Sequence, residues 1–157
     1  MPRTARITVE NACYHIITRG NQKQCVFGET VDYEMYLSIL NKYKKRFKFK
    51  LYSFCLMPNH VHLIVEIKET FKLNKIMRGL NLSYTLYFNA KYKKVGHLWQ
   101  DRFKSKIIEG NSYLLECINY IEANPVRASL VSQICGYPWS SYNFREKNYI
   151  LDSLFSL

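Results

Sequence analysis

His60 and His62 stand two residues apart in the run His60-Val61-His62-Leu63-Ile64-Val65-Glu66-Ile67. Alternate side chains of a β-strand point to the same side, so the two imidazoles share one face. Val61, Leu63, Val65 and Ile67 then form the opposite face, which reads as the buried one. Residues two apart on a strand face lie about 6.5 to 7 Å apart, close enough for both imidazoles to lean toward one divalent cation. Two neutral imidazoles are an incomplete site. A third ligand has to come from elsewhere in the fold, with open positions left for water or a phosphate oxygen. The same spacing also fits two hydrogen-bonded histidines that hold nothing. Two of the four histidines in the chain lie in this pair, directly after the Pro58-Asn59 turn.

A second constellation lies between Tyr113 and Asn124. Tyr113, Cys117, Tyr120 and Asn124 fall at i, i+4, i+7 and i+11, one stripe of a helix, beside an apolar stripe of Leu114, Leu115, Ile118 and Ile121. Tyr120 therefore reads as a residue at the border between core and cleft. A phenol with a pKa of about 10 is a weak nucleophile at neutral pH unless a base or cation assists it, yet it can attack a phosphodiester and hold the product as phosphotyrosine. Asn124, one turn on, can offer a carboxamide oxygen to the same cation. Each residue has a plainer reading: with 13 tyrosines in the chain, Tyr120 can be a packed ring. Asn124 before Pro125 can be the N-cap of a short helix from Pro125 to Leu130.

The elements that must position these groups follow from periodicity. Residues 12–18 are rich in β-formers and run into the turn Arg19-Gly20-Asn21. Met35, Tyr36, Ile39, Leu40, Tyr43 and Phe47 recur at helical spacing. Residues 49–56 and 60–67 form two strand-like runs joined by Met57-Pro58-Asn59, an antiparallel hairpin. A long amphipathic helix follows through Leu73, Ile76, Met77, Leu80, Tyr84, Tyr87 and Phe88, then a strand from Leu98 to Ile108. Asn111 or Ser112 can cap a last helix that runs to about Asn124, where Pro125 stops it. The order β-α-β-β-α-β-α points to an α+β fold, an antiparallel sheet with packed helices, and a ferredoxin-like arrangement is the nearest common architecture.

The chain has 157 residues, 48% of them apolar, enough for a real core and short enough for one domain over residues 1–157. Its net charge of +11 makes a polyanion or an anionic membrane surface the first partner to consider. Up to Lys106 there are 20 basic and 7 acidic residues, and after it 3 and 5, so the first part carries +13 and the rest −2. Basic clusters stand at Lys42 to Lys50, at Lys91, Lys93 and Lys94, and at Arg102, Lys104 and Lys106. A membrane role is disfavoured, because the strongest cluster follows a core-packed helix and leads into a strand instead of forming a free amphipathic segment. Nothing resembles a membrane span or a signal peptide. Five scattered cysteines, none in a Cys-x-x-Cys pair, read as reduced thiols in or near the core. A cytoplasmic, nucleoid-associated protein is expected.

Five motifs in chain order resemble the single-tyrosine HUH transposases, most closely their REP-associated tyrosine transposase branch. They are Arg19-Gly20-Asn21; Leu56-Met57-Pro58-Asn59-His60-Val61-His62-Leu63; Gly96-His97-Leu98-Trp99-Gln100-Asp101-Arg102-Phe103; Tyr120-Ile121-Glu122-Ala123-Asn124-Pro125-Val126-Arg127-Ala128; and Tyr137-Pro138-Trp139-Ser140-Ser141-Tyr142. The resemblance implies an HUH endonuclease fold, His60 and His62 as ligands of Mg2+ or Mn2+, and Tyr120 as a nucleophile that forms a 5′-phosphotyrosine bond and frees a 3′-hydroxyl. The implied substrate is single-stranded DNA carrying hairpins, the palindromic repeats of a bacterial chromosome. Asn124 stands where many relatives have a glutamine ligand, and Ser129 where a glycine is frequent.

Within that reading, Arg3, Arg6 and Arg19 would reach unpaired nucleotides, while Lys44, Lys45, Arg46, Lys48, Arg102 and Lys104 would track hairpin phosphates. The apolar tail, residues 146–157, would dock on its own domain or make a homodimer contact. Two other functions use the same residues: a rolling-circle replication initiator or plasmid relaxase with the same chemistry, and a non-catalytic hairpin-binding protein.

Overall fold

The structure is a computed structural model that describes Ala5, residues 9–145 and residues 150–153. Arg3 and Arg6 lie outside the described residues. Four strands, β1 (Ala12–Arg19), β2 (Lys50–Met57), β3 (His60–Ile67) and β4 (Lys104–Ile108), form one sheet in the order β2-β3-β1-β4. Every neighbouring pair is antiparallel. β1 and β2 thus point the same way with β3 inserted between them, the split β-α-β arrangement of ferredoxin-like folds. α1 (Thr30–Phe47) makes the crossover, α2 (Thr70–Tyr92) links β3 to β4, and α3 (Asn111–Glu122) and α4 (Asn124–Arg127) follow.

The sheet is covered on both faces. Tyr14, Ile16, Leu51, Phe54, Leu56, Val61, Leu63 and Val65 pack with Tyr36, Leu37 and Leu40 of α1 and with Leu73, Met77, Leu80 and Tyr84 of α2. Cys55, Met57, Ile64 and Ile108 pack with Leu114, Ile118 and Ile121 of α3 and with Tyr137. The histidine face of β3 is therefore not the open face that alternation predicts: Ile64 is fully buried and His62 is only 6% exposed. A central strand roofed on both sides reads as a near-continuous apolar run, and only His60, His62 and Glu66 mark its second face.

Two helices meet closely on the first face. A Cβ on Gly79 of α2 would lie 2.5 Å from the Tyr43 ring of α1, so only glycine permits this approach. Asp32 of α1, 0% exposed, accepts the N–H groups of Gly28 (2.8 Å) and Glu29 (3.0 Å), and is met from α2 by Tyr87 (2.8 Å), Lys91 (2.7 Å) and Tyr92. Burial opposes its charge, but the bonds from Lys91, Tyr92, Tyr87 and the Gly28 N–H outweigh it and hold the carboxyl well below the usual range. Lys91 is thereby committed to Asp32 and Glu29 and not to a phosphate.

The region expected as one strand from Leu98 to Ile108 is strand only from Lys104. Asp101 adopts a left-handed backbone (φ 55°) and its Oδ1 accepts the Arg102 N–H at 2.8 Å, which turns the chain before β4. Leu98, Trp99 and Phe103 are buried all the same. Gly110, not Asn111 or Ser112, stands at the N-cap of α3. Of the tail, residues 150–153 dock on the chain's own core: Ile150 is 0% exposed, and Asp152 Oδ2 accepts the Leu51 N–H at 2.9 Å. The rest of 146–157 lies outside the described residues. Cys55 is buried and Cys13 and Cys117 half-buried, whereas Cys25 and Cys135 are exposed, away from the expected core setting. No helix among the described residues is long and apolar enough to cross a membrane.

Candidate metal and nucleophile site

His60 opens β3 and His62 follows on the same face, their ring centroids 4.9 Å apart. Register places Arg19 of β1 beside His60, and Ile17 of β1 and Cys55 of β2 on either side of His62. From the facing layer Asn124 reaches both: its Nδ2 lies 2.8 Å from His62 Nε2 and 3.4 Å from His60 Nε2. Asn124 is not the N-cap of the short helix. Ala123 holds that position and Asn124 is the first residue of α4, so its side chain is free to point at the sheet. Asn124, 64 and 62 residues along the chain from His60 and His62, thus converges with them on one point.

α3 and α4 are held there by contacts that residue periodicity did not reveal. Glu122, buried on α3, accepts the Ser141 hydroxyl at 2.6 Å and is paired with Arg145. The Ser141 hydroxyl also lies 3.0 Å from Ser53 Oγ of β2. Tyr137 donates its hydroxyl to Leu56 O at 2.5 Å, and Leu56 N–H donates to Trp139 O at 2.9 Å. The segment Tyr137 to Tyr142 is a strap tying α3 to β2.

Tyr120 lies one turn before Asn124 and is 55% exposed. The Arg127 guanidinium sits 3.8 Å from its ring centroid and donates to Tyr120 O at 2.6 Å. This cation–π stack gives the exposed ring a fixed neighbour on one face.

Both histidines are held in the neutral form. Burial, with Arg19 adding to it, lowers His60 to about 4. Burial, with His60, His15, Arg127 and Arg19 adding to it, lowers His62 to about 3. Neutral imidazole is the ligating form, and these rings are neutral across the physiological range. Among the described residues no group of three or more His, Cys, Asp or Glu side chains could hold a metal ion. The donor set that fits a divalent cation is accordingly two imidazole Nε2 atoms plus the Asn124 carboxamide oxygen after rotation of its amide. Open positions remain for waters or phosphate oxygens on a divalent cation held by this mixed nitrogen and oxygen set.

Two further residues touch the pair. The Asn59 carboxamide oxygen accepts the His60 Nδ1–H at 2.7 Å, and a hydrogen bond of 2.9 Å joins His62 Nδ1 to His15 Nε2. His15 sits on β1, and burial, then Lys106, lowers its pKa. Its place on a strand was legible in the chain, but only the β1–β3 register shows that it faces His62.

The expected DNA-contacting residues divide by position. Arg19, Arg102 and Lys104 line one cavity with Ile17, Gln100 and Phe103, beside the strand residues that flank the histidines. Lys45, Arg46 and Lys48 lie at the C-terminal end of α1, on the other layer and near Lys50. Lys50 pairs with Glu66, six residues along β3 from His60, or about 20 Å. Lys44 is drawn into an ion pair with Asp152 at 2.8 Å. Arg46 lies over the Phe47 ring at 5.2 Å. The α1 cluster is therefore not part of the histidine site.

A split β-α-β sheet that carries two strand histidines to a helix bearing a tyrosine, with an amide one turn on, is the build expected of an HUH-type transposase domain. The chain belongs to the family described as "Transposase IS200 like", whose model matches residues 8–124. It is similar to a REP-associated tyrosine transposase of Escherichia coli K12, 24% identical over 115 residues, covering 73% of this chain and 67% of that protein. A Haemophilus influenzae protein provisionally named as a REP-associated tyrosine transposase is 26% identical over 115 residues, covering 63% of this chain and 62% of that protein, so the match spans less than two thirds of that relative. A solved structure of a REP-associated tyrosine transposase bound to a REP hairpin shares the fold, with a TM-score of 0.76 at 18% identity, covering 100% of this chain and 92% of that one.

Proposed function

We propose that the chain is a metal-dependent single-stranded DNA endonuclease and strand transferase that acts on hairpin, palindromic-repeat DNA through a 5′-phosphotyrosine intermediate. The observation that carries this reading is the convergence of His60 Nε2, His62 Nε2 and the Asn124 amide one helical turn from an exposed tyrosine. Mg2+ or Mn2+ bound by these three residues would polarise a non-bridging oxygen of the scissile phosphate. Tyr120 Oη attacks phosphorus, its proton passing to solvent, and the 3′-oxygen leaves and takes up a proton. The energy of the phosphodiester is kept in the tyrosine ester, so rejoining needs no nucleotide cofactor. Arg127 restrains the Tyr120 ring during the attack.

Arg19, Arg102 and Lys104 hold the strand next to the cleaved bond, with Arg3 and Arg6 assigned to flanking nucleotides by charge alone. Lys45, Arg46 and Lys48 meet the substrate only at a distance, along a hairpin stem that reaches past the sheet. One chain supplies both histidines, the amide and the tyrosine, so a homodimer is not needed to complete the site. A chromosomal repeat substrate places the protein in the cytoplasm with the nucleoid. The deciding experiment incubates the protein with hairpin single-stranded DNA and Mg2+ or Mn2+ and looks for a covalent adduct on a denaturing gel. An adduct that requires metal and disappears in Tyr120→Phe is the expected result. Persistence in that variant excludes Tyr120, and no adduct with any hairpin leaves a binding protein.

A further inference from the structure

The outer edges of the two imidazoles, turned away from Asn124, are both occupied. Asn59 Oδ1 has lone pairs and no proton, so the 2.7 Å contact requires the proton of His60 on Nδ1. His60 Nε2 is then an acceptor. Asn124 faces that acceptor and His62 Nε2 with one atom, at 3.4 and 2.8 Å. Only an amide N–H can serve His60 there, because a carbonyl oxygen in its place would set two lone pairs against each other. His62 Nε2 consequently accepts as well, its proton stands on Nδ1, and the 2.9 Å bond makes His15 Nε2 the acceptor. All four contacts close with one proton arrangement.

From this closed network we infer that His15 and Asn59 are positioning residues: each fixes the tautomer and ring angle of one histidine of the pair, so that both Nε2 lone pairs face the Asn124 amide before any cation arrives. The inference rests on the proposed metal role of His60 and His62, and it adds how that site is prepared. Asn59 is fixed by the turn between β2 and β3, with its Nδ2 3.4 Å from Lys23 O. His15 is held by β1, two residues from Ile17, which pairs with His62. An imidazole left alone prefers neither nitrogen strongly, and a ring with its proton on Nε2 cannot ligate through that atom. Outer hydrogen bonds to ligating histidines are typically worth a factor of about 10 to 100 in metal affinity.

The test compares wild type with His15→Gln, whose amide oxygen can accept the same proton, and His15→Phe, which keeps a ring and removes the acceptor. Long-range 1H–15N NMR on the metal-free protein reads the tautomer of His62 directly. A single Nδ1–H form is expected in wild type and His15→Gln, and a mixture in His15→Phe. Mn2+ titration followed by electron paramagnetic resonance should show affinity about 10- to 100-fold weaker in His15→Phe and within a few-fold of wild type in His15→Gln. Dispersed amide spectra in both variants establish that they fold. An Nε2–H form of His62 in wild type overturns the inference, as does wild-type Mn2+ affinity in His15→Phe. Should wild type show the Nδ1–H form but bind no Mn2+, the metal-dependent function falls while the tautomer assignment stands.

Discussion

Acidification is the sharpest probe of the histidine pair. A pair with the ordinary pKa of about 6.5 would be roughly one-tenth neutral per ring at pH 5.5, so metal affinity would drop about 100-fold between pH 7.5 and 5.5. Here burial and the neighbouring cations lower His60 to about 4 and His62 to about 3, so both rings stay almost wholly neutral at pH 5.5. Mn2+ affinity should therefore change by less than about 20% over that interval. The sign for folding is opposite in character: the unfolded chain takes up protons near pH 6.5 that the folded chain refuses. Stability attached to the pair is complete above pH 6.5 and is lost as pH falls toward 4, at about 1.4 kcal/mol per group for each pH unit. Mn2+ titrations at pH 7.5, 6.5 and 5.5, with circular dichroism at each pH to confirm folding, provide the assay. A 100-fold weakening centred near pH 6.5 would refute the claim that the site is desolvated before metal enters.

Three other perturbations follow from particular contacts. Arg127→Ala removes the 3.8 Å stack on Tyr120 and the bond to its carbonyl, so single-turnover adduct formation should slow about 10-fold while hairpin affinity stays within a few-fold. Asp32→Ala leaves Lys91 and two tyrosine hydroxyls without their buried acceptor and should cost about 3 to 5 kcal/mol, read as a fall in Tm of about 10 °C. The lowered Asp32 pKa also gives stability that is full above about pH 4 and lost as pH falls below it, so wild type and Asp32→Ala should converge under acid titration. Hairpin affinity should fall steeply with salt, and Lys104→Ala should flatten that slope by about one unit, while Lys44→Ala, whose ammonium is already paired with Asp152, should leave it nearly unchanged.

The amphipathic and alternating patterns were sufficient to place β1, β2, β3 and the helices in order, because local periodicity depends on which side of an element meets the core. They failed where burial is two-sided or where the turn chemistry is local. Alternation assigned one buried face to β3, yet α3 roofs the other. The apolar run from Leu98 read as strand, yet its first residues are buried as a turn around Asp101. The basic clusters showed how a count of charge differs from a map of it: Lys91 and Lys44 are spent on Asp32 and Asp152, and the α1 cluster lies near Lys50, at the end of the sheet far from His60.

By itself the sequence determined the chemistry available to this protein: two imidazoles on one strand face, and a tyrosine and an amide on one helix stripe. Those relations are set by the two- and 3.6-residue repeats of the backbone, so spacing alone was enough to read them. Only the tertiary structure decided that Asn124 turns to the histidines instead of capping its helix, and that His15 and Asn59 close the far sides of the rings. These contacts join residues 47 to 64 positions apart, apart from the neighbours Asn59 and His60. Their geometry depends on strand register and on the strap from Tyr137 to Tyr142, neither of which a local repeat specifies.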